Sequence, residues 1–451
     1  MASEVDGRKM AERTRHLHLN VQATYPGHPA AWRTQDGRRR PGEDVAHIQA
    51  VARAAEKALL NAVFLADSPS FIDPANVPTR ALDPVVLLAA AALATERVGF
   101  IATASTTFNH PYSLARQVAS LEQLSNGRMG WNIVTTTDPR AGGNFGVTQM
   151  PPPAERYAMA ADFTDAVLKL WDSWEDEALI GDQETGVWAD LERIHRVDHH
   201  GPYYSVEGPL QVPRSPQGRP LLVQAGSSPA GRDFAARYAD AIFTVQSVRD
   251  EAMAYYADMK DRVRRAGRNP DDVAVLPGLS LVMGGTETEA HARLERLDAL
   301  ANQGSSLDAF AHGLGLDPAD LTLDAPFPEH LLAAITEADW LRASTGHREA
   351  RLRLLRERSL TVRQIIAQGS GGHYRLVGTP EQVADLMEAW SRAGAADGFN
   401  LFFDTYPAGL ETFAAEVVPI LQRRGLHRDA YEGTTLRDHY GLARPSRLDF
   451  G

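Results

Sequence analysis

The sequence contains no cysteine. That removes disulfides, thiolate metal sites and cysteine nucleophiles from its chemistry, and it agrees with a reducing compartment. It lacks any apolar run of the roughly 18 residues that a membrane span requires. The longest run, VVLLAAAALA at 85–94, has the length of a core helix. Excess positive charge is missing too: 46 Lys and Arg stand against 58 Asp and Glu, a net charge of −12. Nucleic-acid phosphates would be repelled by such a surface. Residues 1–15 are polar and charged, without the apolar centre of a signal peptide, and read as a flexible N-terminus. Together these absences lead to the expectation of a cytoplasmic protein.

Several catalytic signatures are also absent. No GxGxxG follows a strand, and GSGGH at 369–373 has the wrong spacing; no Walker A, HExxH or GxSxG occurs. His199 and His200 are adjacent, poor spacing for one metal, and read as part of a solvated loop. HREAR at 347–351 reads as a charged helix face.

What is present is an alternation of short apolar runs and helical periods. Strands are predicted at 17–22, 62–66, 98–104, 130–136, 221–225, 241–245, 275–282 and 398–403. Helices are predicted between them at 44–58, 83–94, 111–125, 155–174, 229–239, 250–266, 286–300 and 380–393, with a last one at 409–424. This order favours an α/β fold, a (β/α)8 TIM barrel, over an open doubly wound sheet. Long insertions follow strands 4 and 7. The expected organisation is one barrel over 16–427, with insertions at about 175–215 and 300–375, and a C-terminal tail at 428–451.

The best anion site is QAGSSPAGRDFAARYA at 224–239. An apolar strand ends at Ala225, Gly226 permits a tight turn, Ser228 suits an N-cap and Pro229 the first helical turn. Free N–H groups, the helix dipole and the hydroxyls of Ser227 and Ser228 would hold a phosphate. A capped helix start without any ligand is the competing reading. Asp67 ends a strand at the rim where barrels build sites; as a bland alternative it forms a turn before Ser68 and Pro69. Thr103 and Ser105 sit in a hydroxyl cluster on the third strand end, and Thr136 occupies the same place on the fourth. Asn132 is a buried amide in an apolar strand and needs partners, which the edge of a bound ligand could supply. Tyr157 at a helix start could reach a phosphate or be a half-buried aromatic. His110 before Pro111 reads as structural.

These segments resemble a known family. HLHLNVQATYPGHPAAWR, VFLADSP, ATASTTFNHPYSLARQVASLEQLSNGRMGWNIVTT, ERYAMAADF, LLVQAGSSPAGRDFAARYADAIF, LVGTPEQVADLMEAW and GFNLFFDTYPAGLETFAAEVVPILQRRG follow one another as they do in the nitrilotriacetate monooxygenase branch of the bacterial luciferase-like flavin monooxygenases. The resemblance runs from about Leu17 to about Gly425. It implies an enzyme that uses reduced FMN (FMNH2) and O2 to oxidise a small organic substrate by hydroxylation or by C–N or C–S cleavage. The reduced flavin would come from a separate NAD(P)H:flavin reductase, and the chain would form a homodimer or homotetramer. It places FMN contacts at Asp67, Thr103 or Ser105, Tyr157 and Ser228, with Asn132 and Thr136 at the flavin-facing end of the fourth strand. Two departures stand out: Pro153 where relatives carry a His, and TTTDPRAGGNFG where they show TS and AARNFG. Asn20, His28 and His373 are the candidate catalytic groups. The rival readings are a deazaflavin oxidoreductase on the same barrel, a non-catalytic flavin-binding protein and a metal-dependent barrel hydrolase.

Overall fold

A computed structural model describes residues 16–24, 27–34, 44–71, 82–136, 138–301, 307–308, 310–311, 314–332, 335, 345–357, 359–367 and 372–449. The N-terminus expected to be flexible lies outside these residues. Eight parallel strands close on themselves: β1 (His18–Gln22), β2 (Ala62–Leu65), β3 (Gly99–Ser105), β4 (Met129–Val134), β7 (Leu221–Gln224), β8 (Ala241–Thr244), β9 (Ala274–Met283) and β11 (Gly398–Phe403), with β11 returning to β1. They are the eight expected from the sequence. Alternation sends one set of side chains inward, where Phe64, Ile101, Val223 and Leu276 form a cluster. The other set, including Trp131 and Ile133, packs beneath the helices.

The helices begin where the sequence offers caps. Asp44 caps α1 (Val45–Lys57), Asp83 caps α2 (Pro84–Ala92) and His110 caps α3 (Pro111–Leu124), accepting from the Tyr112 amide. A short α4 (Pro139–Asn144), unforeseen among the glycines, precedes α5 (Pro153–Trp171). Next come α6 (Pro229–Tyr238), α7 (Arg249–Arg265) and α8 (Glu287–Leu300), the last with a Thr286–Glu289 capping box. Another capping box, Thr379 with Gln382, starts the helix Pro380–Arg392. The helix expected at 409–424 is broken by a π-helical turn, Phe413–Val417, just before Pro419, which has no N–H to give.

Two strand pieces were not anticipated. A hairpin of β5 (His199–His200) and β6 (Ser205–Val206) lies between α5 and β7. Here the solvated-loop reading of the two histidines is half wrong. His199 is buried and its Nε2 lies 2.9 Å from Asp162 Oδ1, while His200 is exposed. A ninth strand of the large sheet, β10 (Tyr374–Gly378), pairs with the C-terminal half of β9. The long segment before β10 has its own small core, with Phe310, Leu314, Phe327 and Leu355.

The segment after residue 427, expected as a tail, closes the N-terminal end of the barrel. Leu436 enters so closely that a Cβ on Gly99 would stand 2.4 Å from its Cδ1. Tyr440 is buried, and its hydroxyl accepts from Asn20 Nδ2 at 2.8 Å. Arg437 pairs with Asp240 at 2.9 Å.

Beside this plug, burial pushes His427 down to about 4 and His439 down to about 3. The unfolded chain, near 6.5, then binds more protons than the folded one as pH falls below that value, so their contribution to stability is present above it and lost toward the folded values. Glu122, raised by burial to about 7, acts in the opposite sense over part of this window. Urea unfolding of wild type and a His427→Asn/His439→Asn variant between pH 7 and pH 4 isolates the effect. The variant is expected to lose less stability on acidification; equal losses would refute the assignment.

Candidate active site

The C-terminal ends of the strands form a mouth on which most of the candidate residues converge. The most complete construction is the β7–α6 junction. Ser228 caps α6, its hydroxyl accepting from the Gly231 amide at 3.2 Å. The neighbouring first-turn amide of Ala230 stays available, as helix starts dictate. A hydroxyl that accepts can still donate its own hydrogen. Gly226 is needed for packing: a Cβ there would stand 2.7 Å from Gly231 Cα and from Gln224 Oε1. A Cβ on Gly231 would stand 2.6 Å from Tyr157 Oη, so the tyrosine on the first turns of α5 lies directly over the start of α6.

Groups that sequence reasoning missed hold this loop. Tyr255 on α7 donates its hydroxyl to the Gly226 carbonyl at 3.1 Å, and burial pushes its pKa up to about 12. Arg232 Nε donates to the Ser227 carbonyl at 2.9 Å, and the guanidinium lies over the Tyr255 ring at 4.7 Å. An aromatic at helical spacing two elements later carries no local signal for such a role.

Around the barrel, Thr103 and Asn132 face inward side by side, and Asn132 Nδ2 donates to Thr103 Oγ1 at 2.8 Å. The Asn132 carbonyl oxygen is buried and has no hydrogen-bond partner among the described residues. One level higher, Thr136 donates to Ser105 Oγ at 2.7 Å. Thr136 holds φ at +37°, a conformation that costs a β-branched residue energy and that clusters at functional sites. Asp67 and Ala225 sit half-buried at the ends of β2 and β7.

The three catalytic candidates part company. Asn20 does not reach the mouth. It pairs in register with Ala62 and Asn400, and its amide is spent on Asn400, at 2.9 Å, and on Tyr440. An inward Asn in a strand marks a polar interior, but the tail residue that satisfies it is far away in sequence. His28 is a strut: Nδ1 accepts from the Ala30 amide at 3.2 Å, which leaves the proton on Nε2, 3.1 Å from Asp298 Oδ1 on α8. Both nitrogens are occupied, so a catalytic role for His28 finds no support. His373 is the one of the three that lies over the barrel centre. Its ring stacks between Phe243, at 5.3 Å, and Phe402, at 4.7 Å, and a Cβ on Gly278 would stand 2.3 Å from its Nδ1.

The donor set suits a flavin nucleotide: an anion cradle, an unsatisfied buried acceptor for a ring N–H and an aromatic floor. It does not suit a metal; among the described residues no group of three or more His, Asp or Glu could hold one. No helix described is long and apolar enough to cross a membrane.

Asn132→Leu keeps the branched shape while deleting an acceptor that has no protein partner, together with the amide that donates to Thr103. We expect thermal stability to change little, the lost Thr103 bond of about 1 kcal/mol being offset by removal of the unsatisfied carbonyl, and FMN affinity to fall about tenfold, the worth of one hydrogen bond. Melting curves and a flavin titration check both; unchanged affinity would remove Asn132 from the site.

Comparison with known proteins gives concordant results. The profile of the luciferase-like monooxygenase family matches residues 23–397. Nitrilotriacetate monooxygenase component A of Aminobacter aminovorans is 40% identical over 93% of this chain and 94% of its own. N-acetyl-S-(2-succino)cysteine monooxygenase of Bacillus subtilis (strain 168) is 39% identical over 97% and 99%. The crystal structure of a riboflavin lyase with modified FMN and riboflavin superimposes with a TM-score of 0.80, at 31% identity, covering 95% of this chain and 96% of that one.

Proposed function

Since the chain belongs to the luciferase-like monooxygenase family and is a flavin-dependent monooxygenase, we propose that it is the oxygenase component of a two-component system. In this reading it takes FMNH2 from a separate NAD(P)H:flavin reductase and oxidises a small organic substrate beside nitrogen or sulfur, breaking a C–N or C–S bond. The observation that carries this is the convergence, on one mouth, of the cradle formed by Gly226, Ser228, Gly231 and Tyr157 with the partnerless Asn132 carbonyl.

The bound reduced flavin would supply the electrons that activate O2. The chain's residues position and enclose. Ser227, Ser228 and the first-turn amide of α6 hold the phosphate, with Tyr157 beside them. Asn132 accepts a ring N–H, Thr103 keeps the Asn132 amide turned, and the Ser105–Thr136 pair fixes the adjoining wall. Asp67 accepts from the ribityl or ring edge. His373, Phe243 and Phe402 form an apolar floor that keeps water from below. Arg353, in the helix Thr345–Arg356, donates to Ser247 at 2.7 Å and so ties the long segment before β10 to the loop after β8. This tie supports reading the segment as a cover over the substrate. The similarity to the two relatives favours substrates that are N- or S-substituted acids.

The test supplies FMN, NADH and a flavin reductase, and follows oxygen uptake over chelators, sulfones and N- or S-substituted acids. Substrate-dependent oxygen consumption with loss of the compound is expected. Tight flavin uptake without turnover of any compound would favour a flavin-binding protein instead, and turnover of a deazaflavin without O2 would overturn the reading.

A further inference from the structure

The start of α6 offers a phosphate amides and hydroxyls, and Tyr157 offers a phenol, but none of these carries a positive charge. The nearest arginine in sequence is committed elsewhere. Arg232 Nε donates to the Ser227 carbonyl at 2.9 Å and Nη1 to Asp258 Oδ2 at 2.9 Å. At the first residue of α5, where the resembling family carries a histidine, this chain has Pro153, whose side chain can donate nothing.

Arg156 stands one turn further along the same helix. Positions 153, 156 and 157 are related as i, i+3 and i+4, so they share one face, and a side chain at 156 flanks the place that a group at 153 would fill. The Arg156 guanidinium bends back over the helix start, where Nη1 donates to the Pro151 carbonyl at 2.9 Å. Its Nε is buried and has no hydrogen-bond partner among the described residues.

No carboxylate among the described residues pairs with Arg156. Burial lowers its pKa, and the ionisable neighbour that opposes this is Tyr157, the residue whose hydroxyl lies over Gly231. Other half-buried arginines are matched: Arg214 pairs with Asp172 at 2.9 Å and with Asp176 at 3.1 Å, and Arg437 with Asp240 at 2.9 Å. A cation drawn out of water without an anion is costly, so an unmatched one beside an anion cradle has a reason to be there only when the anion arrives.

We propose that Arg156 is the cationic ligand of the flavin 5′-phosphate in this chain and takes over the part that Pro153 gives up. The inference rests on the flavin reading above. A guanidinium presents its N–H groups as a fork that matches phosphate oxygens. The phosphate is then held from two elements, by Ser228 and the first-turn amide of α6 on one side and by Tyr157 and Arg156 of α5 on the other. The added charge also makes the site selective: it favours FMN over riboflavin, which has the same ring and no phosphate.

Parallel titrations of the full chain with FMN and with riboflavin, read by flavin fluorescence, test this. Wild type is expected to prefer FMN. Arg156→Met keeps an apolar stem and removes the charge. Its FMN affinity should fall about 10- to 100-fold, the worth of a charge-assisted hydrogen bond, while its riboflavin affinity and melting temperature stay near those of wild type. Arg156→Lys should keep part of the preference for FMN. At pH 6, where an unperturbed histidine is largely protonated, Pro153→His in the Arg156→Met background should recover FMN affinity. Unchanged FMN affinity in Arg156→Met would overturn the proposal, as would equal losses for both flavins, which would mark Arg156 as a structural prop of α5. A wild type that takes up neither flavin would instead remove the flavin reading itself, and this inference with it.

Discussion

Gly231→Ala is expected to fold normally and to lose flavin. The new methyl group would stand 2.6 Å from Tyr157 Oη and 3.0 Å from Gly226 Cα. Helix propensity favours alanine over glycine, so α6 itself gains slightly. The strain falls on the two elements that meet there. Tyr157 must move outward or the 225–228 turn must open, and either change pulls a phosphate ligand out of place. Anaerobic titration with FMNH2 should show affinity reduced by 10- to 100-fold, about 1.4–2.8 kcal/mol, with the melting temperature near that of wild type. Ser228→Ala tests the same site by a different route. It removes a cap worth about 1 kcal/mol together with a hydroxyl donor, and should lower both stability and affinity. If Gly231→Ala binds FMNH2 as wild type does, the phosphate is held elsewhere.

The second large effect concerns the floor of the barrel. Leu436→Ala and Tyr440→Ala each empty a fully buried position inside the strand cylinder. Leucine-to-alanine changes of this kind cost about 2–5 kcal/mol and large aromatic truncations about 3–5 kcal/mol. Tyr440→Ala is the worse of the two, because it also strips the Asn20 amide of the hydroxyl with which it exchanges hydrogen bonds at 2.8 and 3.0 Å. Tyr440→Phe keeps the packing and isolates the polar loss, about 1–3 kcal/mol. Urea denaturation measures all three. A chain shortened to residue 427 that unfolds at the wild-type midpoint would mean that the plug contributes nothing.

Much of the fold was legible because the barrel writes a local code. Runs such as AVFL and GFIATAS are short and apolar, and the helices between them start at Asp44, Asp83, Ser228 or Thr286, whose side chains take up first-turn amides. β10 escaped because YRLVG is short and follows a Gly-rich stretch; what makes it a strand is the exposed edge of β9, a partner distant in sequence. The same reason hid Tyr440 from Asn20, and Tyr255 from Gly226. The cradle itself could be read from GSSPAG, since capping chemistry is confined to a few consecutive residues. His28 misled because a histidine in a loop near a strand end has the sequence pattern of a catalytic group, and only the position of Asp298 on α8 reveals a strut. His373 was indicated without a reason; its ring stack depends on Phe243 and Phe402, from two other strands.

The plugged floor also bears on the order in which the molecule is finished. Leu436 and Tyr440 are synthesised after all eight strands, so every strand of the cylinder can emerge and pair while its lower end stands open. During that interval Asn20 lacks the Tyr440 hydroxyl, and the glycines at 99 and 130 lack the Leu436 side chain that packs on them. Folding that proceeds from the N-terminus thus leaves the deepest layer of this core to be completed by a segment made after all eight strands.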